Sequence, residues 1–294
     1  MSGLRNDISS MHIPDGFLTP PVWGTLDAIS AAAVPWVARR AQRDTQDQRI
    51  PLLGVMGAFV FAAQMVNFPV GPGTSGHLVG GALLAIVLGP AAASLVLTAI
   101  LVLQALIFQD GGVLALGANV FNMALVGVAA GYLPYRLWAS QESRSRSGAI
   151  FAAGALSVIT SACLALGQLL MSGVPMAGGV LWASLGLFVV SALMEGAITV
   201  AAVRAIERLN PAWVAGPRPA SSRTVAGVAL AALLLVVVGT LIASAAPDGI
   251  QRLTGQGLDS AAWSQRTIAG VGGLALIFAA CYLGGKLISR RRSA

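Results

Sequence analysis

The sequence predicts an all-α fold: a polytopic transmembrane bundle of about nine helices, seven followed by two, with the N-terminus outside and the C-terminus in the cytoplasm. Three observations predict it. Of 294 residues, 56% are hydrophobic and only 10% charged, against roughly 25% charged in soluble domains. The apolar residues come in long runs, not in alternating or amphipathic patterns. Basic residues gather in every second gap between those runs, as expected where Lys and Arg are retained on the cytoplasmic side.

A hydrocarbon core about 30 Å thick takes about 20 apolar residues per helix. Runs at 22–38, 51–67, 77–89, 91–108, 117–138, 149–171, 179–204, 225–246 and 267–287 meet or approach that length. The third is short, and Gly89-Pro90 parts it from the fourth, which predicts a tight helical hairpin or a broken helix. Small residues at every fourth position, Gly54, Ala58 and Ala62 and again Gly81, Ala85 and Gly89, predict close helix approach.

With the N-terminus outside, the inner segments carry Arg39, Arg40, Arg43 and Arg49, then Arg136, Arg144 and Arg146. After these come Arg204, Arg208, Arg218 and Arg223, and finally Lys286 and Arg290 to Arg292. Fifteen of the 18 basic residues therefore lie inside, an alternation that an eight-helix count would break. The same scheme brings His12, His77, Asp110 and Asn119 to the outer face.

Four segments follow. Residues 1–10 read as an N-terminal extension or a start-site artefact, since they lack the apolar core and cleavage pattern of a signal peptide. Residues 11–205 form a seven-helix domain, 206–224 a polar cytoplasmic linker, and 225–294 a two-helix segment. The net charge of +7 is scattered singly and in pairs, with no basic amphipathic stretch, so the partner is the lipid bilayer and not a nucleic acid. Cys163 and Cys281 both fall within apolar runs and are expected as buried free thiols. The tryptophans are expected mainly at the membrane interfaces.

The chemistry concentrates in two polar breaks, Met11-His12-Ile13-Pro14-Asp15-Gly16-Phe17 and Gly73-Thr74-Ser75-Gly76-His77, which hold both histidines of the chain. Neutral imidazole is a common ligand for nickel, cobalt, copper and zinc. If Met11 is the mature amino terminus, its amine, the His12 amide nitrogen and the His12 imidazole can close adjacent five- and six-membered chelate rings. His77 would add a fourth nitrogen. Four nitrogens in a plane suit divalent nickel or copper and accept cobalt, whereas tetrahedral zinc is poorly served.

These two stretches, with Gln109-Asp110-Gly111-Gly112, Leu116-Gly117-Ala118-Asn119, Asn122-Met123 and Glu195-Gly196, resemble the CbiM/NikM family, the nickel/cobalt substrate-capture components of energy-coupling-factor transporters. The resemblance covers residues 11–205. Ala245-Ala246-Pro247-Asp248-Gly249-Ile250 is similar to the small second component, NikN, often fused to or encoded beside NikM, with Ile250-Gln251 where that family shows Leu-Glu. The resemblance implies Ni2+ or Co2+ as transported substrate and Met11, His12 and His77 as its ligands. It also implies a coupling transmembrane subunit and ATPase subunits as partners, and the cytoplasmic (inner) membrane of a bacterium or archaeon. In the family the Met-His pair is the amino terminus. Here ten residues precede Met11, so translation starts at Met11, or the extension is removed, or the site lacks the amine.

Asp15 reads equally as a second-shell acceptor and as an Asp-Gly turn. Ser75, Asn119 and Asn122 are further second-shell candidates, Asn119 and Asn122 equally able to bridge helices. Asp110 reads as a loop-turn residue. Glu195, deep in an apolar run, is expected to have a structural partner. The function expected is metal capture without a nucleotide site: Gly285-Lys286 is followed by Leu287 and lacks the upstream glycine of a phosphate-binding loop. An intramembrane metalloenzyme is the alternative, opposed by the absence of His-Glu-x-x-His and Gly-x-Ser-x-Gly. An ion-coupled secondary metal transporter is the other, opposed by the near isolation of Glu195.

Overall fold

The computed structural model describes residues 12–45, 49–71, 74–139, 143–175 and 178–215, together with position 279. Met11, residues 1–10 and the segment 225–294 of the domain scheme lie outside the described residues, except for that one position.

The order is α1 (Pro20–Asp44), α2 (Ile50–Gln64), β1 (Phe68–Gly71), β2 (Thr74–Gly76), α3 (Gly81–Leu88) and α4 (Pro90–Leu103). Then follow α5 (Leu116–Asn119), α6 (Val128–Trp138), α7 (Ser143–Met171), α8 (Gly178–Leu209) and α9 (Ala212–Ala215). Wider π-helical turns extend α4 over Gln104–Phe108 and join α5 to α6 over Val120–Gly127. Four helical spans among the described residues are long and apolar enough to cross a membrane: Pro90–Phe108, Leu116–Trp138, Arg146–Met171 and Leu181–Leu209.

Several boundaries move from the sequence expectation. Pro at the first turn is compatible with a helix start, and Pro20 and Pro51 occupy such positions in α1 and α2. Helix α2 ends at Gln64, and the Pro- and Gly-rich chain beyond it cannot continue a helix. It forms instead a short antiparallel hairpin, Phe68 opposite Gly76 and Gly71 opposite Thr74. Among the described residues this hairpin is the one departure from the all-α expectation, and it delivers the chain to His77. The third apolar run is helical only over Gly81–Leu88, since Gly80 and Gly89, at φ +76° and +86°, break it at both ends. Helix α8 continues five residues beyond the expected 204, into the segment read as linker, and α9 buries Trp213 there.

Every residue of α3 is buried, and helices α2, α4, α6, α7, α8 and α9 surround it. Such a helix is apolar all round because no side of it meets lipid. Lipid-facing side chains lie on the outer helices, with Trp36, Trp138 and Trp182 exposed. Cys163 is exposed on α7, against the buried position expected of it, because its side of the helix faces away from the bundle. At one end, Arg49 donates to the carbonyls of Val87 (3.1 Å) and Trp213 (2.7 Å), tying α2 to the last turn of α3 and to α9. Nearby in sequence to that end, Glu207 pairs with Arg146 (2.7 Å) and Arg204 (2.9 Å), locking α7 to α8.

Candidate metal centre

The two histidines meet. Both are buried, and their ring centroids are 5.9 Å apart with the planes tilted by 53°. Neither is carried by a regular element: His12 begins the described chain, and His77 sits between β2 and α3.

His77 Nδ1 is 2.8 Å from the carbonyl oxygen of Leu78. A carbonyl can only accept, so Nδ1 carries the proton and the lone pair falls on Nε2, the form in which imidazole binds a transition metal. Burial first, and the adjacent His12 ring second, hold the His77 pKa below the usual imidazole range, with Asp110 and the Leu78 carbonyl acting the other way. His77 is therefore neutral at pH 7.

His12 Nδ1 lies 3.4 Å from Asp110 Oδ1. Nδ1 is also the nitrogen that can close a six-membered ring with the residue's own amide nitrogen, so a cation chelated there would have a carboxylate beside it. Asp110, read from sequence as a turn residue, thus joins the site. Gln109, at φ +54°, and the bond from the Asp110 amide to the Gln104 carbonyl (2.9 Å) turn the chain out of the π-helical segment to put it there. Gly111, at φ +95°, follows directly, and a Cβ on it would stand 2.8 Å from the His12 Cβ. The signal available in the sequence was Asp110-Gly111-Gly112, where two small residues let a loop press against a ligand strand.

The second-shell candidates divide. Asn119 grips Ile13, accepting from its amide at 2.8 Å and donating to its carbonyl at 3.0 Å. Gly112 donates to the same carbonyl at 3.0 Å. Asp15 accepts from the amides of Val113 (3.0 Å), Leu114 (2.8 Å) and Ala115 (3.2 Å), fixing the loop that follows Asp110. Both side chains bond to backbone atoms and hold the segments that carry the site. Asn122 forms a reciprocal amide pair with Gln168 of α7, at 2.8 and 2.6 Å, and bridges helices. Ser75 lies in β2 opposite Pro69. Met11 lies outside the described residues.

Sequence reading passed over Gln64, Gln104, Asp27 and Ser30. Gln104 donates to Gln64 (2.9 Å), which donates to the Val79 carbonyl (2.8 Å). Asp27 and Ser30 of α1 take the amide and the carbonyl of Gly117, each at 2.7 Å, and so anchor the start of α5 and with it Asn119. A single polar residue within an apolar helix was the only clue. Among the described residues no three His, Cys, Asp or Glu side chains assemble into a ligand set.

Two buried imidazoles apposed in a helical membrane protein are a donor pair of the kind that suits a transition-metal ion. The chain belongs to the CbiM family, described as the cobalt uptake substrate-specific transmembrane region, whose model matches residues 12–213. A cobalt transport protein, CbiM, of Lachnoclostridium phytofermentans is 30% identical over 215 residues, which cover 70% of this chain and 85% of that protein. A putative metal transport protein of Haloquadratum walsbyi is 47% identical over 154 residues, 52% of this chain and 69% of that one. A putative fused nickel transport protein of Archaeoglobus fulgidus is 43% identical over 155 residues, 53% of this chain and 50% of its own length. A solved structure described as a transition metal transporter superposes with a TM-score of 0.57 at 32% identity, covering 68% of this chain and 94% of that one.

Proposed function

We propose that this chain is the metal-specific membrane subunit of an importer of the energy-coupling-factor type. It captures divalent nickel or cobalt at the outer face and passes it inward with energy supplied by separate ATPase subunits. The observation that carries the reading is the 5.9 Å approach of the His12 and His77 rings. Two imidazoles do not fill a coordination sphere. In the absence of a third ligating side chain among the described residues, the His12 amide and, in a chain that starts at Met11, the amine of that residue complete a planar four-nitrogen set. Such a set favours nickel over cobalt in the usual divalent order.

The topology proposed with it has nine helices, the N-terminus outside, and a cytoplasmic linker leading into a two-helix segment like the small second component of nickel systems. It spans the cytoplasmic membrane several times. Energy from ATP fits better than ion coupling, because the buried carboxylate of Glu195 is already engaged by two backbone amides. Co-expression with the matching ATPase and coupling subunits is expected to raise nickel or cobalt uptake strongly. Equal uptake, independent of ATP, by the purified chain in liposomes overturns the reading.

A further inference from the structure

Among the described residues, Glu195 is the one fully buried carboxylate, and the capture site as described above makes no direct use of it. It projects from the middle of α8 to the chain just after His77. Its Oε2 accepts from the Val79 amide and its Oε1 from the Gly80 amide, each at 2.8 Å. The Val79 carbonyl is taken from the other side by Gln64 at 2.8 Å, and the Leu78 carbonyl by His77 Nδ1. Gly80 is left-handed and lies against Val60, with no room for a Cβ. The three residues after His77 are therefore held at nearly every polar atom, and Glu195 supplies the one carboxylate that holds them. A carboxyl group so deep is costly unless it is fully hydrogen-bonded, and a Ser or Asn would have served to cap α3 alone.

We propose that Glu195 is the positioning residue for His77: by gripping the amides of Val79 and Gly80, it sets the place and direction of the His77 imidazole in the capture site. The inference rests on the reading that His77 binds the ion.

The test is a double-mutant cycle on the full chain in detergent, titrated with nickel chloride and followed by calorimetry and by the ligand-field absorption of the bound ion. Glu195→Gln keeps the size but turns an NH2 toward one backbone amide. It is expected to weaken nickel binding by about 10- to 100-fold, the range for groups that orient a ligand, and to move the absorption band to that of His77→Ala. In the His77→Ala background, Glu195→Gln should change nothing further. The same fold loss in both backgrounds, or parental affinity and spectrum for Glu195→Gln, overturns the proposal. Should Glu195→Gln not accumulate as folded protein, Glu195→Asp enters the same cycle: it keeps the charge but is too short to reach both amides, and the same non-additivity is required of it. His77→Ala binding nickel like the parent would remove the underlying reading, and the proposal with it.

Discussion

The side-chain amide of Asn119 closes on both polar atoms of Ile13, accepting from its N–H at 2.8 Å and donating to its C=O at 3.0 Å. Ile13 is completely buried, so neither atom has water as a substitute. The pair fixes the backbone next to His12 in the way a strand partner would, with a single residue.

Asn119→Ala takes the side-chain acceptor from the buried Ile13 N–H, at about 1–3 kcal/mol, and leaves the Ile13 carbonyl with the Gly112 amide alone. The expected result is a lower melting temperature and, because the segment carrying His12 loosens, nickel affinity reduced by about tenfold or more. Thermal unfolding and calorimetric titration on one preparation check both effects. Unchanged affinity would separate Asn119 from the site.

His12→Ala is expected to abolish nickel binding, because the imidazole is the anchor that brings its own amide to the ion. His77→Ala leaves a three-nitrogen chelate that water can complete, so weak binding survives while uptake by the assembled transporter is lost. Comparing the two in binding and in uptake distinguishes them. Retained uptake in His77→Ala would remove that residue from the path.

The amine of Met11 and the His12 amide must lose protons to bind, so affinity is expected to fall as pH drops. A free α-amine titrates at about 7.7–8.0, and His77, held below the ordinary imidazole range by burial and by His12, competes little for protons near neutrality. In a chain starting at Met11, affinity should decline below about pH 8. A chain starting at Met1, with its extension still attached, should bind more weakly by about as much as losing a side-chain ligand costs. Titration of the two forms across pH decides. Equal affinity would replace the amine by another donor.

A cysteine placed at position 144 or 216, in a Cys163→Ser, Cys281→Ser background, is expected to resist a membrane-impermeant thiol reagent applied from outside. Labelling from outside would invert or refute the topology.

The sequence by itself determined the membrane class, the position of the four spans found among the described residues and the two histidines, because lipid imposes a 20-residue apolar length and leaves few polar residues to choose from. It could not decide between roles that depend on direction. Asp15, Asn119 and Asn122 looked alike as second-shell candidates. In the structure the first two hold the chain around His12 and Asp110, and the third bridges to Gln168. Asp110 looked like a turn residue until the π-helical turn before it carried its carboxylate to His12. The partners of Gln64, Gln104 and Glu195 in these hydrogen bonds are backbone atoms 15 to 116 residues away or a second glutamine. A backbone partner has no signature in the sequence, so only the packing of α2, α4 and α8 around the His77 loop could show which polar residues serve the site.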